Sequence, residues 1–233
     1  MDQEKAAGLL AQTTLFEGLT TEVLRNIVAE ATQRRYTKSQ FLFYQGDQGD
    51  RLFVVLSGMV KVSVSSDQGE EMVLVTLGPP QVMGELALID GGPRSASVQA
   101  LESTEVLMLS RDAVMRLLQE HPPLTAALLN MLGGVIRRLT EQAADLVFLD
   151  LHGRVAKLLL RLADERGTSD RGEVILDHQL TQTDIARMVG GSRPAVNRIL
   201  QAFAGRGFLE IRGQRIIIRQ LDALRRRAGL HAT

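Results

Sequence analysis

The chain has 233 residues, 45% hydrophobic and 23% charged, enough for one large or two modest globular domains. It has no cysteine, which excludes disulfides, thiolate metal sites, cysteine-ligated iron–sulfur clusters and cysteine nucleophiles. Its zero net charge hides an asymmetry: residues 1–149 carry 12 Lys+Arg against 18 Asp+Glu, and residues 150–233 carry 15 against 9. A basic second part suggests a polyanionic partner.

Residues 1–30 read as amphipathic helix. The start, "MDQEKAAGLL", lacks the basic-then-apolar order of a signal peptide, and no apolar run is long enough to span a bilayer. A cytoplasmic protein is expected. From Tyr36 the period shortens. "FLFYQGD", "RLFVVLSGMVKVSVSS", "EEMVLVTLG", "SASVQAL" and "TEVLMLS" are short apolar or β-branched runs between Gly- and Asp-rich turns. Many short strands at regular spacing predict a small β-barrel or sandwich.

One stretch in this region, "MGELALIDGGPRSASV" (83–98), sets a carboxylate, a guanidinium and a hydroxyl among apolar neighbours. Glu85 suits a sugar hydroxyl, the Arg94 fork suits a phosphate, and Ser95 adds a donor. Gly84 lets backbone approach closely, and the start of "ELALID" offers free N–H groups to an anion. These are the pieces a ribose phosphate needs. The same residues also fit a plain Glu85–Arg94 ion pair.

After Ser110 the period becomes helical. "RDAVMRLLQEHPP" is one helix ended by its prolines, and a long helix follows over 124–149. Along it Leu128, Leu132, Val135, Leu139, Gln142, Leu146 and Leu149 step by four and three, the seam of two helices packed side by side. A dimer is expected, the alternative being a single helix lying on its own β-domain. Asp150 reads as the N-cap of "LHGRVAKLLLRLADERG" and as a hinge between domains.

The basic part holds "LTQTDIARMVGGSRPAVNRIL" (180–200). Thr181 and Asp184 form a capping signature, Gly190-Gly191 breaks the first helix, Ser192 caps a second, and Pro194 suits its first turn. This is a helix-turn-helix. Val196, Ile199, Leu200 and Phe203 share one face and are expected in the core. Arg193, Asn197, Arg198 and Gln201 fall on the other, where arginine and amide side chains can read base edges in a major groove. "FLEI" and "RIIIR" flank Arg212-Gly213-Gln214 as a hairpin wing able to touch phosphates. The four histidines, at 121, 152, 178 and 231, have no metal-ligand spacing. No nucleophile–base constellation or carboxylate pair supports hydrolysis, so no enzyme is expected.

"GDQGDRLFVVLSG" (46–58) and "MGELALIDGGPRSASVQA" (83–100) resemble the two signatures of cyclic-nucleotide-binding domains. With the long helix and "SRPAVNRIL", residues 14–225 resemble the CRP/FNR superfamily of bacterial transcription regulators, in its cAMP receptor protein branch. The resemblance implies an α+β chain of three parts: a cyclic-nucleotide-binding, jelly-roll-like β-roll with flanking helices over 1–121, a dimerisation helix over 122–149, and a winged helix-turn-helix over 150–233. It also implies roles. Glu85 matches the acceptor for the ribose 2′-hydroxyl. Arg94 and Ser95 match the binders of the cyclic phosphate, with Gly84 and Leu86 giving backbone. Leu139 and Thr140 fall where that branch has two adenine-contacting hydroxyl residues; Leu139 can neither donate nor accept. Ser192, Arg193, Pro194, Asn197, Arg198 and Gln201 form the DNA-reading set, with Pro194 standing where the branch has a cytosine-reading glutamate. The implied ligand is cAMP, with cGMP, cyclic di-GMP or ligand-free activity as alternatives. The implied partners are operator DNA and a second copy of the chain, and RNA polymerase is a candidate.

Overall fold

The computed structural model describes residues 2–170, 173–177, 180–213 and 215–230. The N-terminal amphipathic stretch divides into two helices, α1 (Gln3–Ala11) and α2 (Thr21–Glu30). Thr20 caps α2, its Oγ1 accepting from Val23 N–H at 3.4 Å. Strands β1 (Thr32–Tyr36), β2 (Phe41–Phe43), β3 (Arg51–Ser57), β4 (Val60–Ser65), β5 (Glu71–Leu77) and β6 (Val82–Met83) follow. The short helix α3 (Glu85–Asp90), β7 (Ser97–Ala100) and β8 (Thr104–Ser110) complete the set.

The strands form two antiparallel four-stranded sheets, ordered β1-β8-β3-β6 and β2-β7-β4-β5. The run "LFVVL" in β3 is apolar throughout because both of its faces are covered. Alternate residues point to opposite faces of a strand. Leu52, Val54 and Leu56 enter a core with α1 and α2, while Phe53 and Val55 enter a second core with Val60, Val98 and Val106. The expected β-roll is therefore a strand layer buried on one side by helices and on the other by its partner sheet.

Ser110 caps α4 (Arg111–Glu120). Helix α4 ends just before Pro122 and Pro123, as expected, and the same prolines begin α5 (Pro122–Phe148), where missing N–H groups leave no helical bond unmade. Leu128 is only 7% exposed and packs in the α1/α2 core beside Leu124. It cannot also form an outer seam. Besides Val147 and Phe148 at its end, the exposed large apolar residues of α5 are Leu129, Ile136, Leu139 and Leu146. With Leu132 and Ala143 they step by three and four. This exposed stripe differs from the expected seam by one residue at alternate positions, with 129, 136 and 143 beside the expected 128, 135 and 142.

The chain forms two compact units, residues 1–137 and 138–233. The division falls inside α5, whereas the sequence reading places boundaries at the two ends of that helix. The second unit continues with α6 (Leu151–Arg166), β9 (Thr168–Asp170), β10 (Glu173–Asp177), α7 (Gln182–Val189) and α8 (Arg193–Gly205). It ends with β11 (Leu209–Arg212), β12 (Arg215–Ile218) and α9 (Leu221–Arg227). The wing is not a lone hairpin. It belongs to a sheet ordered β11-β12-β10-β9. Gln214, expected at its tip, lies outside the described residues, as do His178 and His231.

The corner between α5 and α6 is bonded on several sides. Asp150 caps α6, Oδ1 accepting from Gly153 N–H at 2.7 Å and Oδ2 from Arg227 of α9. Arg154 Nη1 donates to Leu149 O at 2.9 Å, and its Nε to Val189 O at 2.8 Å. Lys157 Nζ meets Asp145 Oδ1 at 2.7 Å. The Arg227 guanidinium, and then the Gly153 amide, hold the Asp150 carboxyl below its usual range. A depressed carboxyl stabilises the fold above its unfolded-state pKa and loses that contribution as pH falls through the folded value. Asparagine caps a helix as well as aspartate does, so Asp150→Asn isolates the ion pair. The exposed pair contributes at most about 1 kcal/mol. The stability deficit of Asp150→Asn, read from urea midpoints, is expected to be largest near neutral pH and to shrink below pH ~4.

Candidate functional site

Arg94 lies in the first unit, on the segment between α3 and β7. Its backbone is clamped by the "QGDQGD" turn: Arg94 N–H donates to Asp47 O at 2.8 Å, and Gly46 N–H to Arg94 O at 2.9 Å. The turn holds itself closed, Asp47 Oδ2 accepting from Tyr44 N–H at 2.8 Å. The two signature stretches thus meet in the fold: one supplies the arginine and the other its backbone clamp.

The side chain is 4% exposed. Nη1 donates to Gly84 O and Nη2 to Arg51 O, each at 2.8 Å. The guanidinium carbon lies 4.3 Å from the Phe43 ring centroid and 5.5 Å from that of Phe53. Cation–π contacts of this kind strengthen when water is excluded. Gly84 and Gly49 close the cage. A Cβ on Gly49 would lie 2.3 Å from Ala87 Cβ and 3.1 Å from Arg94 Nε. A Cβ on Gly84, which sits at φ +84°, would lie 2.5 Å from Nη1. Burial pushes the guanidinium below the usual arginine range, and Asp50, Glu85 and Asp47 oppose that shift in this order. It remains a cation at neutral pH.

Among the described residues, Arg94 Nε is the fully buried side-chain nitrogen or oxygen without a hydrogen-bond partner. A buried donor left unsatisfied costs about 1–3 kcal/mol. An anionic acceptor would relieve it, so the residues present fit a phosphate. Glu85 begins α3 nine residues away in sequence, half-buried, with Gly84 as the N-cap. Leu86 and Ser95 are exposed. The structure thus gathers Gly84, Glu85, Leu86, Arg94 and Ser95 in one unit. Leu139 and Thr140 lie on α5 in the other, both exposed. Sequence reasoning missed Phe43, Phe53, Gly49 and the Arg51 carbonyl. The two phenylalanines read as ordinary core residues, and a backbone carbonyl leaves no trace in composition.

In the second unit the helix-turn-helix forms as expected. Thr181 and Asp184 make a complete capping box, and Gly190 ends α7 at φ 63°. Ser192 caps α8, its Oγ accepting from Ala195 N–H at 3.4 Å. Val196, Ile199, Leu200 and Phe203 are buried, whereas Arg193, Pro194, Asn197, Arg198 and Gln201 are exposed. The wing is less free than expected. Arg212 and Arg219 both pair with Glu210, and Arg219 also lies 3.4 Å from Glu173.

Residues 33–121 match the model of the cyclic nucleotide-binding domain, and residues 153–227 that of the Crp-like helix-turn-helix domain. Over 220 residues the chain is 34% identical to a CRP-like cAMP-activated global transcriptional regulator of Mycobacterium tuberculosis. That match spans 94% of this chain and 98% of the relative. This chain belongs to the CRP-like family of transcription regulators. The regulator is also 32% identical over 210 residues to the cyclic AMP receptor protein of Thermus thermophilus, spanning 90% of this chain and 94% of that one. Among solved structures it resembles the c-di-GMP responsive global regulator CLP of Xanthomonas campestris, with a TM-score of 0.75 and 26% identity. That likeness covers 85% of this chain and 99% of the neighbour. Among the described residues the regulator has no helix long and apolar enough to cross a membrane, and no cluster of His, Cys, Asp and Glu able to hold a metal ion.

The cage around Arg94 has a measurable signature. Gly49→Ala overpacks it and is expected to lower the unfolding free energy by about 1–3 kcal/mol. Gly8→Ala, on α1 with open space around it, is expected to raise it by up to ~1 kcal/mol. Urea unfolding of the two variants reads both signs.

Proposed function

We propose that the regulator is a homodimer that binds a cyclic nucleotide, cAMP, in each β-roll and thereby sets its affinity for operator DNA. The observation that carries this reading is the buried, unpartnered Nε of Arg94 inside a glycine- and phenylalanine-walled cage. A structural arginine of comparable burial would have its donors satisfied. A cyclic phosphate supplies the missing acceptor. Ser95 reaches the same phosphate, Gly84 and Leu86 give backbone to it, and Glu85 accepts from the ribose 2′-hydroxyl. Thr140 serves the base.

Dimerisation follows from α5. Leu129 and Ile136 are 63% and 64% exposed, and Leu139 is 44% exposed. Apolar residues alternating by three and four along 129–146 form a coiled-coil seam. Two parallel copies of α5 would bury it and place two α8 helices on one DNA face. Recognition helices set about one helical turn apart, ~34 Å, enter successive major grooves of a near-palindrome. Ser192, Arg193, Asn197, Arg198 and Gln201 then line the groove, while Pro194 offers the bases neither a donor nor an acceptor. The ligand acts only if it binds the DNA-competent state better than the other. Soluble, cytoplasmic action and contact with RNA polymerase accord with this role. The three-part division at 121 and 149 describes it functionally: ligand domain, pairing helix and DNA domain.

A second reading keeps the fold and changes the messenger. Leu139 cannot hydrogen-bond a base, and one structural neighbour is a c-di-GMP responsive regulator. Calorimetric titration with cAMP, cGMP and cyclic di-GMP separates the two readings. Arg94→Gln is expected to abolish heat from the binding ligand while the far-ultraviolet spectrum stays native; unchanged affinity would remove Arg94 from the site. Ile136→Glu places a charge on the exposed seam without touching the core. Light scattering is expected to give the mass of one chain, 25.6 kDa, for this variant and twice that for the wild type.

A further inference from the structure

On α8, Arg193, Asn197 and Gln201 recur at every fourth residue and are all exposed. Residues four apart lie one above the other on a helix. They therefore form a single polar stripe, and Asn197 is its centre. A residue of the other helix reaches that centre: Gln182, the first residue of α7, donates from Nε2 to Asn197 Oδ1 at 3.4 Å. Gln182 stands on a fixed support. Thr181 N–H and Oγ1–H both donate to Asp184 Oδ2, at 2.9 and 2.6 Å, and Asp184 N–H donates back to Thr181 Oγ1 at 3.1 Å. Asp184 is itself buried.

We infer that Gln182 is a positioning residue that orients the Asn197 amide for adenine, a step that rests on the DNA-binding reading above. An asparagine reads adenine by accepting from N6–H through Oδ1 and donating to N7 through Nδ2. The terminal torsion of asparagine is broad and roughly two-fold, so an unsupported amide also presents its oxygen and nitrogen exchanged. With Gln182 turned so that Nε2 faces Asn197, as the structure has it, only Oδ1 can accept, and the pair favours one of these orientations. A carbonyl oxygen has two acceptor sites. One is taken by Gln182, and the other remains for adenine N6–H, with Nδ2 left to face N7. Gln182 thus sharpens base choice without touching the base. Pro194, one turn before Asn197 on the same helix, adds no hydrogen bond of its own to the reading, so more of the discrimination falls on Asn197.

The test uses the full chain. A duplex is first selected from randomised 30-base-pair DNA, with and without added cAMP. The affinity of the wild type, Asn197→Ala, Gln182→Ala, Gln182→Glu and the double alanine variant is then measured on every single-base change of that duplex at one salt concentration. The wild type is expected to prefer adenine at one position of each half-site by roughly five- to one-hundred-fold. Asn197→Ala removes that preference. Gln182→Ala reduces it several-fold at the same position and leaves the other positions as they were. Gln182→Glu, which must draw Nδ2 rather than Oδ1, abolishes or reverses it. The double variant loses no more than Asn197→Ala alone. The inference is overturned if Gln182→Ala leaves the profile unchanged. It is equally overturned if that variant weakens every duplex alike with a shallower salt dependence, the mark of a phosphate contact. A wild type that enriches no sequence overturns the DNA-binding reading and this inference with it.

Discussion

A guanidinium buried at the edge of the β-roll is the constraint around which the first unit is arranged. Arg94 could not be taken out of water as an isolated charge, because that transfer is prohibitively unfavourable. Two carbonyls, two aromatic faces and the nearby carboxylates of Asp50, Glu85 and Asp47 make it tolerable. The supports come from several elements. Gly84 lies ahead of α3, Arg51 on β3, Phe43 on β2, and Asp47 in the turn between those strands. The β-roll must close correctly before the charge is held, so the site reports on the whole unit's integrity. Glycine at 49 and 84 is required by proximity to this side chain, more than by the turns in which those residues sit.

The long helix α5 carries two separate apolar faces. Leu124 and Leu128 belong to the core shared with α1 and α2, whereas Leu129, Ile136, Leu139 and Leu146 remain outside it. A sequence pattern with alternating steps of three and four cannot say which of two adjacent stripes is already covered. That ambiguity, rather than a failure of helical periodicity, explains why the exposed stripe differs at alternate positions from the one read from the sequence. Proteins similar to this chain are named for different messengers, a cAMP-activated regulator and a c-di-GMP responsive one.

Much of the architecture was legible because it rests on local rules. Thr181 with Asp184, Gly190-Gly191 and Ser192 announced the helix-turn-helix through capping and φ requirements alone, and the buried set Val196, Ile199, Leu200 and Phe203 followed from spacing. Arg94 and Glu85 stood out as charges inside an apolar run. What escaped depends on distant contact. Strands β9 and β10 are short and gain their meaning only by pairing, β10 with β12 and β9 with β10, and α9 is defined by packing on α6. The pairing of Arg212 and Arg219 with Glu210, which takes up wing charges otherwise assigned to phosphates, likewise joins separate segments. The aromatic walls around Arg94 were invisible for the same reason.

The bonded corner at Asp150 has a mechanical meaning. Asp145, Leu149 and Asp150 are each tied to α6 or α9, so the final turns of α5 are welded to the winged half and share its rigidity. Upstream, Gly133 and Gly134 sit side by side just before the boundary between the two units. Each glycine weakens a helix interior by roughly 0.8–1.0 kcal/mol relative to alanine. Helix α5 thus has its weakest intrinsic helix propensity beside the division and its side-chain ties at the end that leads into α6.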